Sequence, residues 1–350
     1  MELMRRRAFF SPILLLLVLE PLICFHAFAG SYPITAIQNA ISTPSENQAL
    51  YRQASELTFP CQETHGSGIV FRLSEQSPAF TLSANHVMLW RNPDGSEARD
   101  FVYTDERAAP VTQLNLKSDL DSGLSPRVDK KFSARALFIP AHADTDLTFP
   151  RASHDFAVGI ADGLKESASI VKIGSPQAQA KVIYAGYPQV GNPNLNLVAG
   201  EGEILSDAEA TRLVAADLEG VPKKLQNRVY RPEDEFVIRG VAIPGMSGGP
   251  VFGLKGELIG VLDSTIVPPG ISFQEEAGVK KVVSTEALRN QSYARVIRAD
   301  RIFSRLATAI EKLSEKEASV LEARRAMSAQ LLAGISACSA QFRDLQKNKN

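Results

Sequence analysis

Short apolar runs separated by turn-forming residues dominate the chain between residues 66 and 262. The runs are rich in Val, Ile and Phe, and Gly, Pro, Asn and Asp separate them, which is typical of β-strands joined by turns. The predicted strands are Gly68–Leu73, Ala79–Leu82, Ala134–Ile139, Phe156–Ile160, Ser169–Ile173, Lys181–Tyr187, Leu195–Ala199, Phe236–Ile243, Pro250–Phe252 and Glu257–Leu262. Because the connections lack a helical period, the pattern predicts an all-β sandwich or barrel.

Two polar intervals, residues 91–133 and 206–234, are longer than ordinary connections between strands. Loops of this length are usually functional or mobile insertions on the surface. We therefore predict insertions at both places. Residues 30–60 are also polar and mixed in character, with a weak helical stretch at Gln48–Glu56, and we interpret them as a leader that packs outside the main domain.

From about Glu286 the apolar residues follow a helical period instead. Ile302, Leu306 and Ile310 lie four residues apart, and steps of three, four or seven continue to Leu345, which predicts a long amphipathic helix or helical pair. Residues 301–350 hold nine basic and five acidic side chains, a net charge of +4, against −6 for residues 30–300. We expect this C-terminal extension, residues 286–350, to pack on the acidic body or on a partner helix in an oligomer.

The N-terminus has the pattern of a signal peptide. Three arginines, residues 5–7, precede an apolar run at Ala8–Leu19, and Ala27 and Ala29 supply small residues for cleavage after Ala29. A membrane anchor is the weaker interpretation, because the run is shorter than the roughly 20 residues that cross a bilayer. We predict a secreted or periplasmic protein without a stable membrane anchor.

Charge and cysteine content exclude several classes of protein. The 38 basic side chains are balanced by 39 acidic ones, so nucleic-acid binding is not expected. No CxxC, HExxH or EF-hand spacing indicates a metal, and no cofactor is expected. After signal removal only Cys61 and Cys338 remain, and they either form one disulfide or stay unpaired.

The strongest local motif is Gly245-Met246-Ser247-Gly248-Gly249-Pro250-Val251, a serine among three glycines between apolar strands. A GxSxG segment also occurs in α/β-hydrolases, where the acid and the histidine follow the serine in the chain. All five histidines precede Ser247 here, so that triad cannot be assembled.

The order His, Asp, Ser is instead that of chymotrypsin-like peptidases. His86 follows an apolar strand in Thr81-Leu82-Ser83-Ala84-Asn85-His86, and Asp155 opens the strand Phe156–Ile160. Asp144 and Asp146 are nearby alternatives for the acid, but only Asp155 immediately precedes an apolar strand.

With these segments, the chain resembles the trypsin-like serine peptidases, and within them the Deg/HtrA-like bacterial branch. Further motifs in that order are Gly66-Ser67-Gly68-Ile69-Val70, Gly186-Tyr187-Pro188, Gly200-Glu201-Gly202-Glu203-Ile204-Leu205-Ser206 and Gly256-Glu257-Leu258-Ile259-Gly260-Val261. The resemblance implies two antiparallel six-stranded β-barrels over residues 61–285, with a protein or peptide substrate in the cleft between them. The residues after 285 are too few and too helical for the PDZ domain that usually follows in that branch.

The chemistry of peptide hydrolysis assigns a role to each residue. Serine hydroxyl is a weak nucleophile, so Ser247 needs the neutral imidazole of His86 to take its proton, while Asp155 orients the imidazole. The glycines let the backbone N–H groups of Gly245 and Ser247 point at the developing oxyanion. Two rivals are a catalytically silent, protease-like protein that binds peptides and a cell-envelope interaction protein that acts through its C-terminal helix.

By resemblance, the primary specificity pocket is lined by Val241 and Ala242 before the nucleophile and by Asp263 and Ser264 after it. Val241 stands where trypsins carry the aspartate that receives Arg or Lys, so we predict a preference for small or medium aliphatic side chains. Met246 replaces the aspartate that pairs with a freed N-terminus in digestive trypsins, so that activation switch is not expected.

Overall fold

The computed structural model describes residues 47–61, 66–75, 77–88, 90–91, 94–96, 111–116, 130–140, 154–161, 163–164, 168–188, 197–219, 228–243, 245–266 and 292–316. Only the backbone is described at residues 111–116, 130–131 and 309–316. The predicted signal peptide, most of the predicted leader and residues 317–350 of the predicted extension, which include Cys338, lie outside the described residues.

A six-stranded antiparallel sheet forms the N-terminal unit, and helix α1 (Gln48–Leu57) precedes it. Its strands are β1 (Thr58–Cys61), β2 (Gly66–Phe71), β3 (Phe80–Ser83), β4 (Val111–Leu116), β5 (Lys130–Phe138) and β6 (Ala157–Ala161). They follow the order β1-β2-β3-β6-β5-β4, and the two end strands, β1 and β4, lie against each other. Phe59, Val70, Trp90 and Phe132 are among the apolar side chains buried in this unit.

A closed six-stranded barrel forms the C-terminal unit. Its strands are β7 (Lys181–Gly186), β8 (Val198–Ile204), β9 (Glu235–Arg239), β10 (Pro250–Gly253), β11 (Leu258–Ile266) and β12 (Tyr293–Arg298). β7 pairs with both β8 and β10, which closes the sheet on itself. Helix α2 (Asp207–Asp217) lies between β8 and β9, and α3 (Ala299–Lys316) follows β12. Among the helices that the structure describes, none has both the length and the hydropathy that a membrane crossing requires.

One continuous apolar core joins the two units and both terminal helices. Phe71 and Phe80 of the first sheet and Phe252 of the barrel are fully buried in it, together with Leu57 of α1. Phe303 of α3 packs edge-on against Phe71 and Phe80, with ring centroids 5.9 and 6.4 Å away. The two units are therefore held by packing that neither could complete alone.

The predicted fold class is confirmed, because the chain forms two six-stranded antiparallel β units with few helices. Two strands fall outside the predicted domain boundaries. β1 begins inside the predicted leader, and β12 lies inside the predicted C-terminal extension. β12 is difficult to predict because Arg295 and Arg298 are buried in it, where Glu235 and Asp300 pair with their charges.

Local departures from the predicted strands and loops have simple causes. Ser169–Ile173 makes only two isolated bridges, from Ile170 to Arg72 and from Ile173 to Leu258, so it connects the two units without joining either sheet. The polar interval 206–234 contains α2, which a capping box of Ser206 and Glu209 begins. The other interval, 91–133, contains β4 and the start of β5.

The contribution of α3 to the shared core can be measured. Phe303 is 2% exposed, and Phe303→Ala would leave a cavity between the helix and the first sheet. We expect the free energy of unfolding of residues 30–350 in urea to fall by about 3–5 kcal/mol. Thr308→Ala, at an exposed position of the same helix, should change it by less than about 0.5 kcal/mol. Equal effects of the two substitutions would show that α3 does not close the core.

Candidate active site

Strand pairing brings His86 and Asp155 together. β3 and β6 run antiparallel, with Ser83 opposite Ala157. The chain that leaves β3 and the chain that enters β6 therefore lie at the same edge of the sheet. A short 3₁₀ turn at Asn85–Val87 follows β3, and it places His86 beside Asp155.

Two hydrogen bonds hold His86 to Asp155. Nδ1 of the imidazole lies 2.7 Å from Oδ2, and the backbone N–H of His86 donates to Oδ1 at 3.0 Å. Because an ionised carboxylate only accepts hydrogen bonds, this contact assigns the ring hydrogen to Nδ1 and leaves Nε2 as the nitrogen that can take a proton. Asp144 and Asp146, the alternative acids, lie outside the described residues.

The two groups shift each other's pKa in opposite directions. Burial lowers the pKa of His86, but the charge of Asp155 and the hydrogen bond to it, with a further contribution from Asp263, raise it above the usual value. Burial raises the pKa of Asp155, but the charge of His86 and the hydrogen bonds to the carboxylate hold it well below the usual range. The pair therefore stabilises an imidazolium while Asp155 stays ionised.

Ser247 lies in a tight turn that glycines make possible. Gly245 and Gly248 have φ values of 97° and 86°, in the left-handed region that favours glycine. The Gly248 N–H donates to the Leu262 carbonyl at 2.6 Å, and the Leu262 N–H donates to the Gly249 carbonyl at 2.8 Å. These two bonds fix the turn against β11.

The Ser247 turn, residues 245–249, also lies against the turn that carries His86. A Cβ atom added at Gly248 would collide with the Ser67 carbonyl and the Ser83 hydroxyl, and it would lie 3.0 Å from the backbone nitrogen of Ala84. Ala84 directly precedes the 3₁₀ turn of His86. Only a glycine after Ser247 allows the two turns to approach this closely.

Ser67 is a site residue that sequence reasoning missed. Its N–H donates to the Ser247 carbonyl at 2.7 Å, and its hydroxyl donates to the Gly245 carbonyl at 2.8 Å and accepts from the Tyr187 N–H at 2.8 Å. The Ser83 hydroxyl donates to the Ser67 carbonyl at 2.6 Å. Ser67 thus bonds the Ser247 turn of the barrel to the first sheet.

A sequence signal for Ser67 was present in its neighbours. A Cβ atom at Gly66 would collide with Val87, and one at Gly68 would collide with Phe59. A serine between two such glycines at the start of a strand marks a close approach of backbones, where a small hydroxyl can bond to both sides.

Two N–H groups of the turn donate no backbone hydrogen bond within the described residues. Met246, Gly248 and Gly249 donate backbone hydrogen bonds at 3.1, 2.6 and 2.9 Å. Within the part of the chain that the structure describes, no such bond is donated by Gly245 or Ser247. This alternation is the pattern that an oxyanion hole built from these two groups requires.

The four residues predicted to line the specificity pocket have different surroundings. Val241 and Ala242 are 3% and 4% exposed, and the Val241 carbonyl accepts a hydrogen bond from the Tyr184 hydroxyl at 3.1 Å. Ser264 is half-buried and donates to Asp263 at 3.0 Å. Asp263 itself is 1% exposed, so its carboxyl group is enclosed by protein.

Asp263 lies next to the His86–Asp155 pair, in the buried part of the site. Its Oδ2 accepts from Arg228 at 2.9 Å, and polar side-chain atoms of His86, Asp155 and Asp263 lie within 4.8 Å of one another. Burial and the charge of Asp155 raise the pKa of Asp263 to about 7, although Arg228 opposes the shift.

The same three side chains carry groups that can ligate a metal ion, but several of their donor atoms are already bonded within the protein. His86 Nδ1 and Asp263 Oδ2 already bond to Asp155 and Arg228 respectively. The Arg228 guanidinium also brings a positive charge to the cluster. This donor set therefore does not fit a metal.

Comparisons with known proteins show similarity to solved structures only. No family model and no curated protein matches the chain. Neuropsin, a serine protease expressed in the limbic system of mouse brain, is 15% identical over 74% of this chain and 92% of its own, with a TM-score of 0.43. The inactive form of the Rv3671c protease is 16% identical over 77% and 98%, with a TM-score of 0.39. A serine-to-alanine mutant of Rv3671c from M. tuberculosis H37Rv, in its inactive form, is 17% identical over 77% and 95%, with a TM-score of 0.40.

The effect of Asp155 on His86 gives a test that needs no substrate. Asp155→Asn removes the negative charge that raises the pKa of His86, so we expect that pKa to fall and the neutral imidazole to persist to lower pH. An NMR titration of the His86 ring would measure the change. Asp94→Asn, an exposed substitution beside Ser96, is the matched control. An unchanged His86 titration in Asp155→Asn would contradict the assignment of Asp155.

Proposed function

We propose that the protein is an exported serine endopeptidase in which Ser247, His86 and Asp155 form the catalytic triad. The observation that carries the proposal is the bonded His86–Asp155 pair, whose turn lies against the glycine turn that holds Ser247. The motifs from Gly66 to Val261 support placement in the Deg/HtrA-like branch, and residues 1–29 support export.

In the first half of the reaction, Ser247 Oγ attacks the carbonyl carbon of a peptide bond and its proton passes to His86 Nε2. Asp155 stays ionised and accepts a hydrogen bond from the Nδ1–H group of the imidazolium. The N–H groups of Gly245 and Ser247 donate to the oxyanion, an effect worth about 2.7–4 kcal/mol per donor. The proton on Nε2 then moves to the leaving amine, the C–N bond breaks, and an ester remains on Ser247.

In the second half, a water molecule replaces the amine. His86 Nε2 takes a proton from the water as its oxygen attacks the ester carbon. The proton returns to Ser247 Oγ as the carbon–oxygen bond breaks, and the carboxylic acid product leaves. His86 is again neutral, so it is ready to activate Ser247 in the next cycle.

The charges near the nucleophile favour an apolar primary specificity pocket. Val241 offers no charge, and the Asp263 carboxyl group is bonded to Arg228 at 2.9 Å. A substrate Arg or Lys would therefore have to compete with Arg228 for Asp263. Apolar pockets discriminate weakly, by about 1–3 kcal/mol per methylene, so a range of aliphatic side chains should be accepted.

Ser247 and His86 should act as one unit. We expect Ser247→Ala and His86→Ala each to lower kcat by about 10⁴-fold or more, and the double variant to be no slower than either single variant. Hydrolysis of an unstructured protein and labelling by a fluorophosphonate probe would measure the loss. Ser96→Ala, an exposed serine substitution, should keep both signals.

Two outcomes would count against this assignment. A double variant much slower than each single variant would mean that the two side chains act independently. A wild-type chain that neither hydrolyses peptides nor takes the probe, but retains an extended peptide, would favour the catalytically silent binding protein.

The cleavage preference is a separate prediction. In a positional-scanning peptide library we expect cleavage after Val, Ala, Ile or Leu, with little after Arg or Lys, because Val241 carries no charge and Asp263 is already bonded to Arg228. The Ser247→Ala variant run on the same library identifies any contaminating peptidase. Dominant cleavage after Arg or Lys would show that the pocket is acidic.

A further inference from the structure

Two carboxyl groups face each other in the buried part of the site. Asp155 and Asp263 are each 1% exposed, and polar atoms of their two side chains lie within 4.8 Å of each other. They come from different units, since Asp155 precedes β6 and Asp263 lies on β11, at a bulge in its pairing with β12. The bulge displaces the residue between Leu262 and Ser264 from the regular register.

The hydrogen bonds around the pair leave one oxygen without a donor. Both Asp155 oxygens accept from His86, and Asp263 Oδ2 accepts from Arg228 and Ser264. Within the described residues, Asp263 Oδ1 is buried and has no hydrogen-bond partner. Two ionised carboxylates cannot donate to each other, so only a proton on one of them can make their contact attractive.

We propose that Asp263 is protonated in the working enzyme and donates a hydrogen bond from Oδ1 to Asp155, as a positioning residue that holds the carboxylate in place for His86. This inference rests on the proposed peptidase function. Asp263 touches neither the reacting serine nor the substrate in this role. It acts through Asp155.

The surrounding charges are consistent with a neutral Asp263. The charged groups that act on it are Asp155, His86 and Arg228, with the smallest of the contributions to its pKa from Arg295 on β12. Arg295 is bonded through two nitrogens to Glu235, so its charge is already balanced. With Asp263 neutral, the charge of Asp155 is balanced by Arg228. Burial and Asp155 raise the pKa of Asp263, whereas Arg228 and Arg295 lower it, and the net direction favours the protonated form.

The proposal gives the peptidase an alkaline limit. Activity should appear as pH rises and His86 loses its proton, because the base must be neutral. Activity should then fall as pH rises further and Asp263 ionises, because two negative carboxylates repel and the bond to Asp155 is lost. The pH dependence of kcat should therefore be bell-shaped, with Asp263 responsible for the basic side.

Two substitutions of Asp263 distinguish the effect of its hydrogen-bond donor from the effect of its negative charge. Asp263→Asn keeps a donor and cannot ionise, whereas Asp263→Ala has neither a donor nor a charge. In Asp263→Asn the amide oxygen can accept from Arg228, which leaves the NH₂ group to donate to Asp155 at every pH. We expect this variant to keep kcat within about threefold and to lose the alkaline limb. Asp263→Ala should lower kcat by about 10- to 100-fold with little change in KM, because it removes the donor without touching the substrate. Thermal unfolding of each variant checks folding, and the Asn comparison stands without the Ala variant.

A buried aspartate outside the site serves as the matched control for the Asp263 variants. Asp300→Asn replaces another largely buried aspartate bonded to an arginine, Arg298, at the start of α3, and it should leave the pH dependence of kcat unchanged. An Asp263→Asn variant as slow as Asp263→Ala would overturn the proposal, since charge and not donation would then matter. A surviving alkaline limb in Asp263→Asn would overturn it as well, and so would a change in KM alone, which would indicate a residue of the specificity pocket.

A second measurement separates this proposal from the proposed function. In Ser247→Ala, which cannot form the ester, a ¹³C NMR titration of aspartate carboxyl groups, assigned with Asp263→Asn, reports the ionisation of Asp263 directly. We expect a protonated Asp263 at pH 6 beside an ionised Asp155. An Asp263 that is ionised at pH 6 would overturn the proposal even if peptides are cleaved. A protonated Asp263 in a chain without hydrolysis would overturn the peptidase function alone.

Discussion

The site depends on one pairing, the antiparallel contact of β3 with β6. With Ser83 opposite Ala157, the turn after one strand and the residue before the other meet at one sheet edge. A shift of this register by one residue would reverse the faces of every side chain in one of the two strands. The bond between His86 and Asp155 therefore follows from the strand pairing, and the apolar side chains that fix the sheet also fix the position of His86.

Local patterns of the sequence predicted most of this framework. Val- and Ile-rich runs mark most of the strands, and the segments around His86 and Ser247 predict their turns because small residues and glycines are needed there. The position of Asp155 could be predicted as well, since it stands directly before an apolar strand. These features are local, so each can be read within a few residues.

Features that depend on distant contacts could not be predicted. Asp263 meets Asp155 because a bulge displaces it, and it meets Arg228, 35 residues away, because the chain after α2 returns to the barrel. β12 was missed for a related reason. In the sequence, Arg295 and Arg298 are typical of the polar face of a helix. Only the folded chain places Glu235 and Asp300 beside them, where they balance the buried charges.

The shared core has a consequence for the way this chain is made. Helix α1 lies near one end of the described chain and α3 lies at the other, and both contribute to the same apolar core. A ribosome delivers the N-terminal sheet and the barrel strands before it delivers Phe303 and Leu306. Until those residues emerge, the interface between the units lacks part of its packing, so a nascent chain would carry His86, Asp155 and Ser247 without the rigid frame that aligns them. The order of synthesis itself would thus delay the alignment of these three residues until nearly the whole described chain has been made.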